Sequence, residues 1–251
     1  MTGAQRIEAA IRSPKTPGPA LVAYVTAGYP SLEAFPAVLD AACAVADVVE
    51  IGIPFSDPMA DGVTLQAAAR VAIAGGFKLK WLRELLQSCG PSTTPLLVMS
   101  YTNPLMQYGY PRLVADFPVD GWIVPDLPLE EAGELRGLAT AHGQALVQLV
   151  APNTPPARIA ELAHASSGFL YAVTVTGITG AAMGADVNDY LRRVKAVSPL
   201  PVCAGFGVRT RDTVRRLGEA ADGVIVGTAL MDALSKGEDV TAFLRGLRED
   251  T

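Results

Sequence analysis

Histidine and lysine are scarce in this sequence, and each shortage narrows the chemistry available to the chain. The 251 residues include two histidines, His142 and His164. Both lie near the ends of predicted helices and far from the acidic segment described below. A histidine-based metal site or catalytic triad is therefore disfavoured, and we expect no metal. The five lysines lie outside the ends of the predicted strands, which disfavours a Schiff-base aldolase.

Cysteine is also rare, and its pattern points to a reducing compartment. The three cysteines, Cys43, Cys89 and Cys203, are scattered and form no CxxC pair. This is typical of reduced thiols in a cytosolic protein, where we expect them to fill core space. The sequence lacks a secretory signal pattern and has no apolar run long enough to cross a bilayer. We therefore expect a cytoplasmic protein without a membrane partner.

Positive charge is limited as well. The formal net charge is -5 and no run of lysine and arginine occurs, so nucleic acid and anionic membrane surfaces are disfavoured partners. No GxGxxG motif follows the first predicted strand, and no P-loop is present. With 50% hydrophobic residues, the chain can nevertheless bury a large core.

Apolar, β-rich runs alternate along the chain with stretches of helical periodicity. The predicted strands span 20–26, 48–53, 95–101, 121–126, 144–150, 168–173, 201–205 and 223–227. The helices predicted between them include 32–46, 77–88, 129–142, 155–165, 186–197 and 210–220. Eight such units, with no linker between them, predict a single (β/α)8 TIM-barrel domain over 1–251 with an extra N-terminal helix. A doubly wound open sheet is the main alternative.

Two acidic residues mark the candidate chemistry. Glu50 interrupts the apolar run VVEIGI, where an isolated carboxylate is disfavoured unless it is hydrogen-bonded, paired or protonated. A raised pKa there would suit proton transfer near neutral pH, although a purely structural carboxylate is the alternative. Asp61 lies in the following loop, in an Ala-Asp-Gly sequence that by itself also fits an ordinary turn.

Glycines after the last strands predict a phosphate site at the C-terminal face of the barrel. Gly205-Phe206-Gly207 ends the seventh predicted strand, Gly227-Thr228 ends the eighth, and Thr179-Gly180 follows the sixth. Glycine lets backbone N–H groups approach an anion, and a helix N-terminus favours negative charge. Ordinary turn glycines are the alternative. The residues alone therefore predict a barrel enzyme that uses carboxylate acid-base chemistry on a phosphorylated substrate.

The sequence also resembles the tryptophan synthase alpha chain family over essentially its whole length. The resemblance rests on AYVTAGYPS (23–31), VEIGIPFSDPMADGVTLQ (49–66), MSYTNPLMQYG (99–109), GWIVPDLPLEE (121–131), TGITG (176–180), AGFGV (204–208) and IVGTAL (225–230). The most specific part is Glu-x-Gly-x-Pro-Phe-Ser-Asp-Pro followed by Ala-Asp-Gly. The family cleaves indole-3-glycerol phosphate to indole and glyceraldehyde 3-phosphate, a retro-aldol reaction.

The resemblance implies a role for each matching residue. Glu50 would be the general acid-base residue, and Asp61 would accept a hydrogen bond from the indole N–H while remaining ionised. The phosphate would be held by Gly180, Gly207, Gly227 and Thr228. The substrate pocket would be lined by Tyr24, Met99, Tyr101, Ile123, Tyr171, Phe206 and Ile225. The loop after the sixth predicted strand would close over the site as a lid, and its Thr179 would then meet the Asp61 loop. Without the resemblance, core packing would be the favoured interpretation of Met99, Ile123 and Ile225.

The resemblance also implies a partner. Family members dock on a pyridoxal-phosphate (PLP) beta subunit in an alpha2-beta2 heterotetramer, and indole passes between the sites through an internal tunnel. This chain would itself carry no cofactor. The residues expected to face the partner are Pro54, Phe55, Ser56, Asp57, Pro58, Asn103, Pro104, Asp126 and Pro128, together with Leu127 in the same turn.

The sequence departs from the family pattern at two places. Ala181-Ala182-Met183 stands where many relatives carry an arginine, which bears on lid closure, and Thr228 replaces a common serine but retains a hydroxyl.

Three alternative functions remain open. They are a free-standing lyase that releases indole, a non-catalytic barrel that binds phosphate ligands and regulates a partner, and another phosphate-binding barrel such as a sugar-phosphate isomerase. Retention of both carboxylates argues against the second, and the specific loop argues against the third.

Overall fold

The computed structural model describes residues 1–174, 187–205 and 207–248. The described strands are Ala20–Thr26 (β1), Val48–Gly52 (β2), Leu96–Met99 (β3), Gly121–Ile123 (β4), Ala145–Val150 (β5), Leu170–Val173 (β6), Val202–Gly205 (β7) and Gly223–Val226 (β8). The described helices are Gly3–Arg12 (α1), Phe35–Val45 (α2), Val63–Ala74 (α3), Leu79–Cys89 (α4), Thr102–Tyr108 (α5), Tyr110–Asp116 (α6), Gly133–Ala141 (α7), Pro156–Ala165 (α8), Val187–Val197 (α9), Arg211–Gly218 (α10), Thr228–Ser235 (α11) and Val240–Gly246 (α12).

The strands form a closed barrel in sequence order, with β8 paired to β1. Every neighbouring pair is parallel. Helices surround this sheet, so the predicted (β/α)8 TIM barrel is confirmed and the open doubly wound sheet is wrong. All eight predicted strands are present. Because a parallel strand is buried on both faces, it reads as a continuous apolar run, and this is why the pattern found them.

Side chains alternate between the barrel interior and the surrounding helices along each strand. One set forms an interior core, which includes Val22, Val48, Leu97 and Ile225. The residues between them, such as Ala23 and Val49, belong to a larger core against the helices. The interior is therefore filled with side chains, as the narrow bore of an eight-stranded barrel requires.

The extra N-terminal helix closes the lower end of the barrel, where the strands begin. Ile7 and Ile11 of α1 are 0% and 2% exposed and join the interior core with Phe169. The helix begins with a capping box in which the Thr2 side chain accepts from the Gln5 N–H and the Gln5 side chain accepts from the Thr2 N–H. This arrangement satisfies two free N–H groups and fixes the start of the helix.

The lower end also carries a hydrogen-bond pattern that repeats at every second strand. A polar residue just before each even strand exchanges two hydrogen bonds with the backbone of the preceding odd strand: its N–H donates to a carbonyl, and its side-chain oxygen accepts from the same residue's N–H. The four pairs are Asp47 with Leu21, Asp120 with Leu96, Ser167 with Leu146 and Asp222 with Val202. We call these the four strand clamps.

The three aspartates of the clamps are also ion-paired. Asp120 pairs with Arg6 of α1 at 2.7 Å, Asp222 with Lys195 at 2.7 Å, and Asp47 with Arg248 beyond α12. The clamps therefore tie the strands to each other, and two of them also tie the barrel to the terminal segments of the described chain. No helix in the described residues is both long and apolar enough to cross a membrane.

Candidate active site

Glu50 lies at the centre of the barrel, in the middle of β2. Its strand neighbours are Tyr24 on β1 and Leu97 on β3. The side chain is 1% exposed, and its Oε2 atom has no hydrogen-bond partner among the described residues. The strand alternation that places Val48 in the interior also turns Glu50 inward. A carboxyl group is thus held inside the barrel with one oxygen unpartnered within the described residues.

Burial decides the protonation of this group. Removal from water, with a smaller contribution from nearby Asp61, raises the pKa of Glu50 from 4.5 to about 8. The protonated form is therefore favoured at neutral pH, as the sequence had suggested. A neutral carboxylic acid in this position can donate a proton, and its conjugate base can later accept one.

Tyr24 and Tyr171 flank this carboxyl group, and each ring is accommodated by a glycine at the end of the adjacent strand. A Cβ on Gly52 would collide with the Tyr24 hydroxyl, and a Cβ on Gly205 would collide with the Tyr171 ring. Burial raises the pKa of both phenols. The charge of Asp61 adds to the effect at Tyr24 and that of Glu50 adds to it at Tyr171, whereas the nearby Thr26 hydroxyl partly offsets it at Tyr24, so both phenols remain neutral hydrogen-bonding groups.

Asp61 is held above the barrel by Tyr101. The Tyr101 hydroxyl accepts a hydrogen bond from the Ala60 N–H at 2.9 Å and donates to the Asp61 carboxylate. The Asp61 carbonyl also accepts from Gln66 Nε2 at 2.8 Å. Burial raises the pKa of Asp61, whereas the hydrogen bond from Tyr101 lowers it by favouring the ionised form. Ionisation of Asp61 in the working enzyme remains a prediction.

Tyr101 also orders the first part of the same loop. Its ring lies 5.4 Å from that of Phe55, centre to centre. The sequence predicted Tyr101 as a pocket residue. In the structure it additionally connects the end of β3 to both ends of the loop after β2, and so positions Asp61 relative to Glu50.

The predicted phosphate residues that the structure describes lie on two adjacent strand ends. Gly207 follows β7 with φ 77°, in the left-handed region that favours glycine. Gly227 follows β8 and is the N-cap of α11, and Thr228 is the first residue of that helix. Strands β7 and β8 pair directly, so these residues share one sector of the rim. Free N–H groups at the start of α11 suit an anion.

The remaining predicted pocket residues divide between interior and undescribed positions. Ile123 and Ile225 are buried in the interior core, and Met99 packs against it. Thr179, Gly180 and Phe206 lie outside the described residues, as does Ala181-Ala182-Met183.

The predicted partner-facing residues lie after β2, β3 and β4, on one side of the upper rim. Asp126 accepts hydrogen bonds from the N–H and the hydroxyl of Thr102, at 2.8 and 2.9 Å, and so joins the turn after β4 to α5. Ser56, Asp57, Asn103 and Pro128 are exposed, whereas Pro54 is buried.

Sequence reasoning missed two exposed apolar residues in the same sector. Met59 is 74% exposed in the loop after β2, and Met106 is 61% exposed on α5. Their position in the sequence, within a few residues of the predicted partner-facing segments, was the available signal.

The two histidines lie far from this site, as predicted. His142 caps the end of α7 and His164 lies in the last turn of α8, and each ring contacts the carbonyl four residues earlier. Within the described residues, no group of three or more His, Cys, Asp or Glu side chains could hold a metal ion.

Comparisons with known proteins assign the family. The family model "Tryptophan synthase alpha chain" matches residues 12–247. The chain belongs to the tryptophan synthase alpha chain family. It is 41% identical to the tryptophan synthase alpha chain of Nitratidesulfovibrio vulgaris strain DP4, covering 98% of this chain and 99% of that one. The members of this family are lyases that cleave indole-3-glycerol phosphate, and the indole passes to the beta subunit.

Solved structures of tryptophan synthase share this fold. The aminoacrylate-bound form of the enzyme from M. tuberculosis matches with a TM-score of 0.87 and 32% identity, covering 98% of each chain. The tryptophan synthase α2β2 complex from Pyrococcus furiosus matches with a TM-score of 0.84 and 37% identity, covering 92% of this chain and 97% of that one. In tryptophan synthase, PLP belongs to the beta subunit.

Proposed function

We propose that this chain cleaves indole-3-glycerol phosphate to indole and glyceraldehyde 3-phosphate, with Glu50 as the general acid and then the general base. The observation that supports this most directly is the buried carboxyl group of Glu50: its Oε2 has no hydrogen-bond partner in the part of the chain that the structure describes, and its pKa of about 8 leaves it protonated at neutral pH.

The reaction needs one proton donated and one removed. Protonation of indole C3 by Glu50 converts the ring to a cationic iminium form. The ionised carboxylate then takes the proton from the hydroxyl on the adjacent side-chain carbon. As that oxygen becomes a carbonyl, the bond from this carbon to C3 breaks and its electron pair restores the aromatic indole. Glu50 ends the cycle protonated, so the sequence balances without a cofactor in this chain.

Asp61 and the rim glycines supply binding and charge stabilisation. A carboxylate on Asp61 accepts a hydrogen bond from the indole N–H and stabilises the positive charge that develops on that nitrogen. Tyr101 supports this role because its donated hydrogen bond favours the ionised form of Asp61. The N–H groups near Gly207 and Gly227, with the Thr228 hydroxyl, bind the phosphate, and Gly180 contributes to the same site.

Tyr24, Tyr171 and Ile225 form the wall of the indole and glycerol pocket. Their burial within the barrel around Glu50 supports this assignment. Phe206 and Thr179 complete the pocket and its cover.

The chain acts with a PLP-dependent beta subunit in an alpha2-beta2 assembly, to which it passes indole. The partner contacts the loop Pro54 to Pro58, Asn103-Pro104 and the Asp126-Leu127-Pro128 turn. The exposed side chains of Met59 and Met106 support this surface, since exposed large apolar groups favour protein contacts.

The protein works as one domain in the cytoplasm. Interior packing of α1 and the contact of α12 with α2 support a single folding unit over 1–251. The cysteines Cys43, Cys89 and Cys203 are free thiols, which fits a reducing compartment.

The decisive experiment measures indole release from indole-3-glycerol phosphate by the purified chain, with and without a tryptophan synthase beta subunit. We expect slow release alone and a many-fold acceleration by the partner. Fast release by the chain alone would instead identify a free-standing lyase. No release under either condition, with the substrate still bound, would identify a binding protein.

A further inference from the structure

Thr26, the last residue of β1, has a buried hydroxyl that the mechanism above does not use. The residue is 1% exposed, and its Oγ makes no hydrogen bond of normal geometry among the described residues, although it lies close enough to the Tyr24 hydroxyl to lower the pKa of that phenol. It lies two positions after Tyr24 and therefore faces the barrel interior, like Tyr24 itself. Its strand partner is Gly52, the glycine over which the Tyr24 ring lies.

A buried hydroxyl without a partner is unfavourable in the folded protein, and such groups are rare in native structures. Glu50 Oε2 is a second such atom, on the adjacent strand and one interior position deeper than Gly52. Two unpartnered polar atoms thus occur at neighbouring positions on β1 and β2, within the proposed active site. A bound polar molecule that contacts both would remove both penalties.

The order of the strands indicates which part of a substrate lies near Thr26. The phosphate residues follow β7 and β8, whereas Glu50 and Asp61 belong to β2 and its loop. Strand β1 lies between β8 and β2 in the closed barrel. A molecule with its phosphate on one side and its indole on the other must therefore pass the end of β1 with the chain that joins them.

We propose that Thr26 is a substrate-binding residue whose hydroxyl forms a hydrogen bond with a hydroxyl group of the glycerol chain of indole-3-glycerol phosphate. The inference rests on the proposed function, because it takes the orientation of the substrate from the assigned phosphate and indole ends. Threonine suits this role because its hydroxyl can both donate and accept, as can the alcohol it would bind. The contact selects a hydroxylated linker over a plain alkyl chain, since a polar group left unpaired disfavours the wrong ligand.

Binding to a catalytically inactive protein tests this contact without turnover. The full-length Glu50→Gln chain is compared with the Glu50→Gln, Thr26→Val double variant, in which valine replaces threonine with nearly the same shape. Two ligands are titrated: indole-3-glycerol phosphate, and 3-(indol-3-yl)propyl phosphate, which has the same ends but no linker hydroxyl. We expect Thr26→Val to weaken binding of the first ligand by about 3- to 10-fold, as loss of one hydrogen bond implies, and to leave the second unchanged. The Glu50→Gln, Thr26→Ser double variant, which retains a hydroxyl at this position, should bind indole-3-glycerol phosphate about as tightly as the Glu50→Gln chain does.

Stability without ligand separates this role from a structural one. Because the Thr26 hydroxyl makes no hydrogen bond of normal geometry within the described part of the chain, Thr26→Val should keep or raise the melting temperature. An equal change in affinity for both ligands, no change for either, or a lower melting temperature with Thr26→Val would overturn the inference. Failure of the proposed function is distinguishable: the Glu50→Gln chain would then bind neither ligand, and the wild-type chain would release no indole.

Discussion

At the residue scale, the environment of Glu50 determines which proton transfers it can perform. An ordinary glutamate is ionised at neutral pH and cannot act as an acid there. Burial within the barrel raises the pKa of Glu50 to about 8, near the range where a group can both donate and accept protons. Among the described residues, Oε2 also lacks the hydrogen-bond partner that a structural carboxylate would have.

Glu50→Gln should abolish indole formation, because the amide cannot deliver a proton to the indole ring. In the wild-type chain, kcat/KM should fall about tenfold per pH unit above the pKa of about 8, since the proton donor is then lost. Steady-state assays above about pH 7, where the phosphate ester remains a dianion, measure this directly. Glu130→Gln, a change at an exposed position, is the control. Wild-type turnover by Glu50→Gln would remove Glu50 from the mechanism.

The same substitution should change the pH dependence of stability. Between the ordinary pKa of 4.5 and the folded value of about 8, the unfolded state has released the Glu50 proton while the folded state retains it. The free energy of unfolding therefore falls as pH rises through this window and levels off above it. Each unit corresponds to about 1.4 kcal/mol. Urea unfolding measures the free energy of unfolding of Glu50→Gln minus that of the wild-type chain. This difference should rise by a few kcal/mol as the pH increases through the window, and a difference that does not depend on pH would contradict the assignment.

Asp61→Asn should lower kcat by roughly 100-fold or more, because a neutral amide stabilises the positive indole nitrogen less than a carboxylate does. Tyr101→Phe should have a smaller effect, since it leaves the carboxylate but removes the hydroxyl that positions the Asp61 loop. Asp57→Asn, at an exposed position in the same loop, is the matched control. Near-normal activity of Asp61→Asn would leave Asp61 as a turn residue only.

At the element scale, the sequence predicted strands well and their ends less well. The run 95–101 contains β3, which ends at Met99, and the run 121–126 contains β4, which ends at Ile123. Beyond these ends Tyr101 and Val124 are buried as well, so hydrophobicity alone cannot separate them from the strand. Helix α5 is not among the predicted helices; it carries Pro104 in its first turn, where proline is tolerated.

The sequence predicted those site residues that are unusual by their own type and position. Glu50 stood out as a charge in an apolar run, and the glycines after β7 and β8 stood out by position. The contact of Tyr24 with Gly52 and the unpartnered hydroxyl of Thr26 depend on strand register and on what surrounds each atom. Neither property is present in a linear pattern.

The strand clamps give an element-scale prediction. Asp120→Ala leaves the Leu96 N–H and the Arg6 guanidinium without their carboxylate partner, and we expect a loss of about 2–4 kcal/mol in the free energy of unfolding. The upper rim should be unaffected, so the KM for indole-3-glycerol phosphate should not change. Urea unfolding of the variants measures this loss. The control is Asp212→Ala, which changes an exposed aspartate in the first turn of α10. A loss no larger than that of the control would show that the clamp contributes little.

At the scale of the whole molecule, the barrel separates stability from chemistry. The lower end contains the clamps, the α1 plug and the ion pair between Asp47 and Arg248. The upper rim contains the carboxylate loop, the phosphate sector and the proposed partner surface. This division allows the active site to contain a buried carboxyl group such as Glu50, because other parts of the fold offset its cost.

The exposed methionines beside the site allow the partner surface to be tested. Burial of a methionine side chain in an interface contributes about 1.5–3 kcal/mol, so Met106→Ser should weaken the complex with the beta subunit by roughly 10-fold or more. The beta-subunit concentration that gives half-maximal activation of indole release should rise accordingly, while release by the free chain should change little. Val197→Ser is the control, because Val197 is 40% exposed but lies at the far end of α9, beside the lower face. Equal activation curves for Met106→Ser and Val197→Ser would place the beta subunit on another surface.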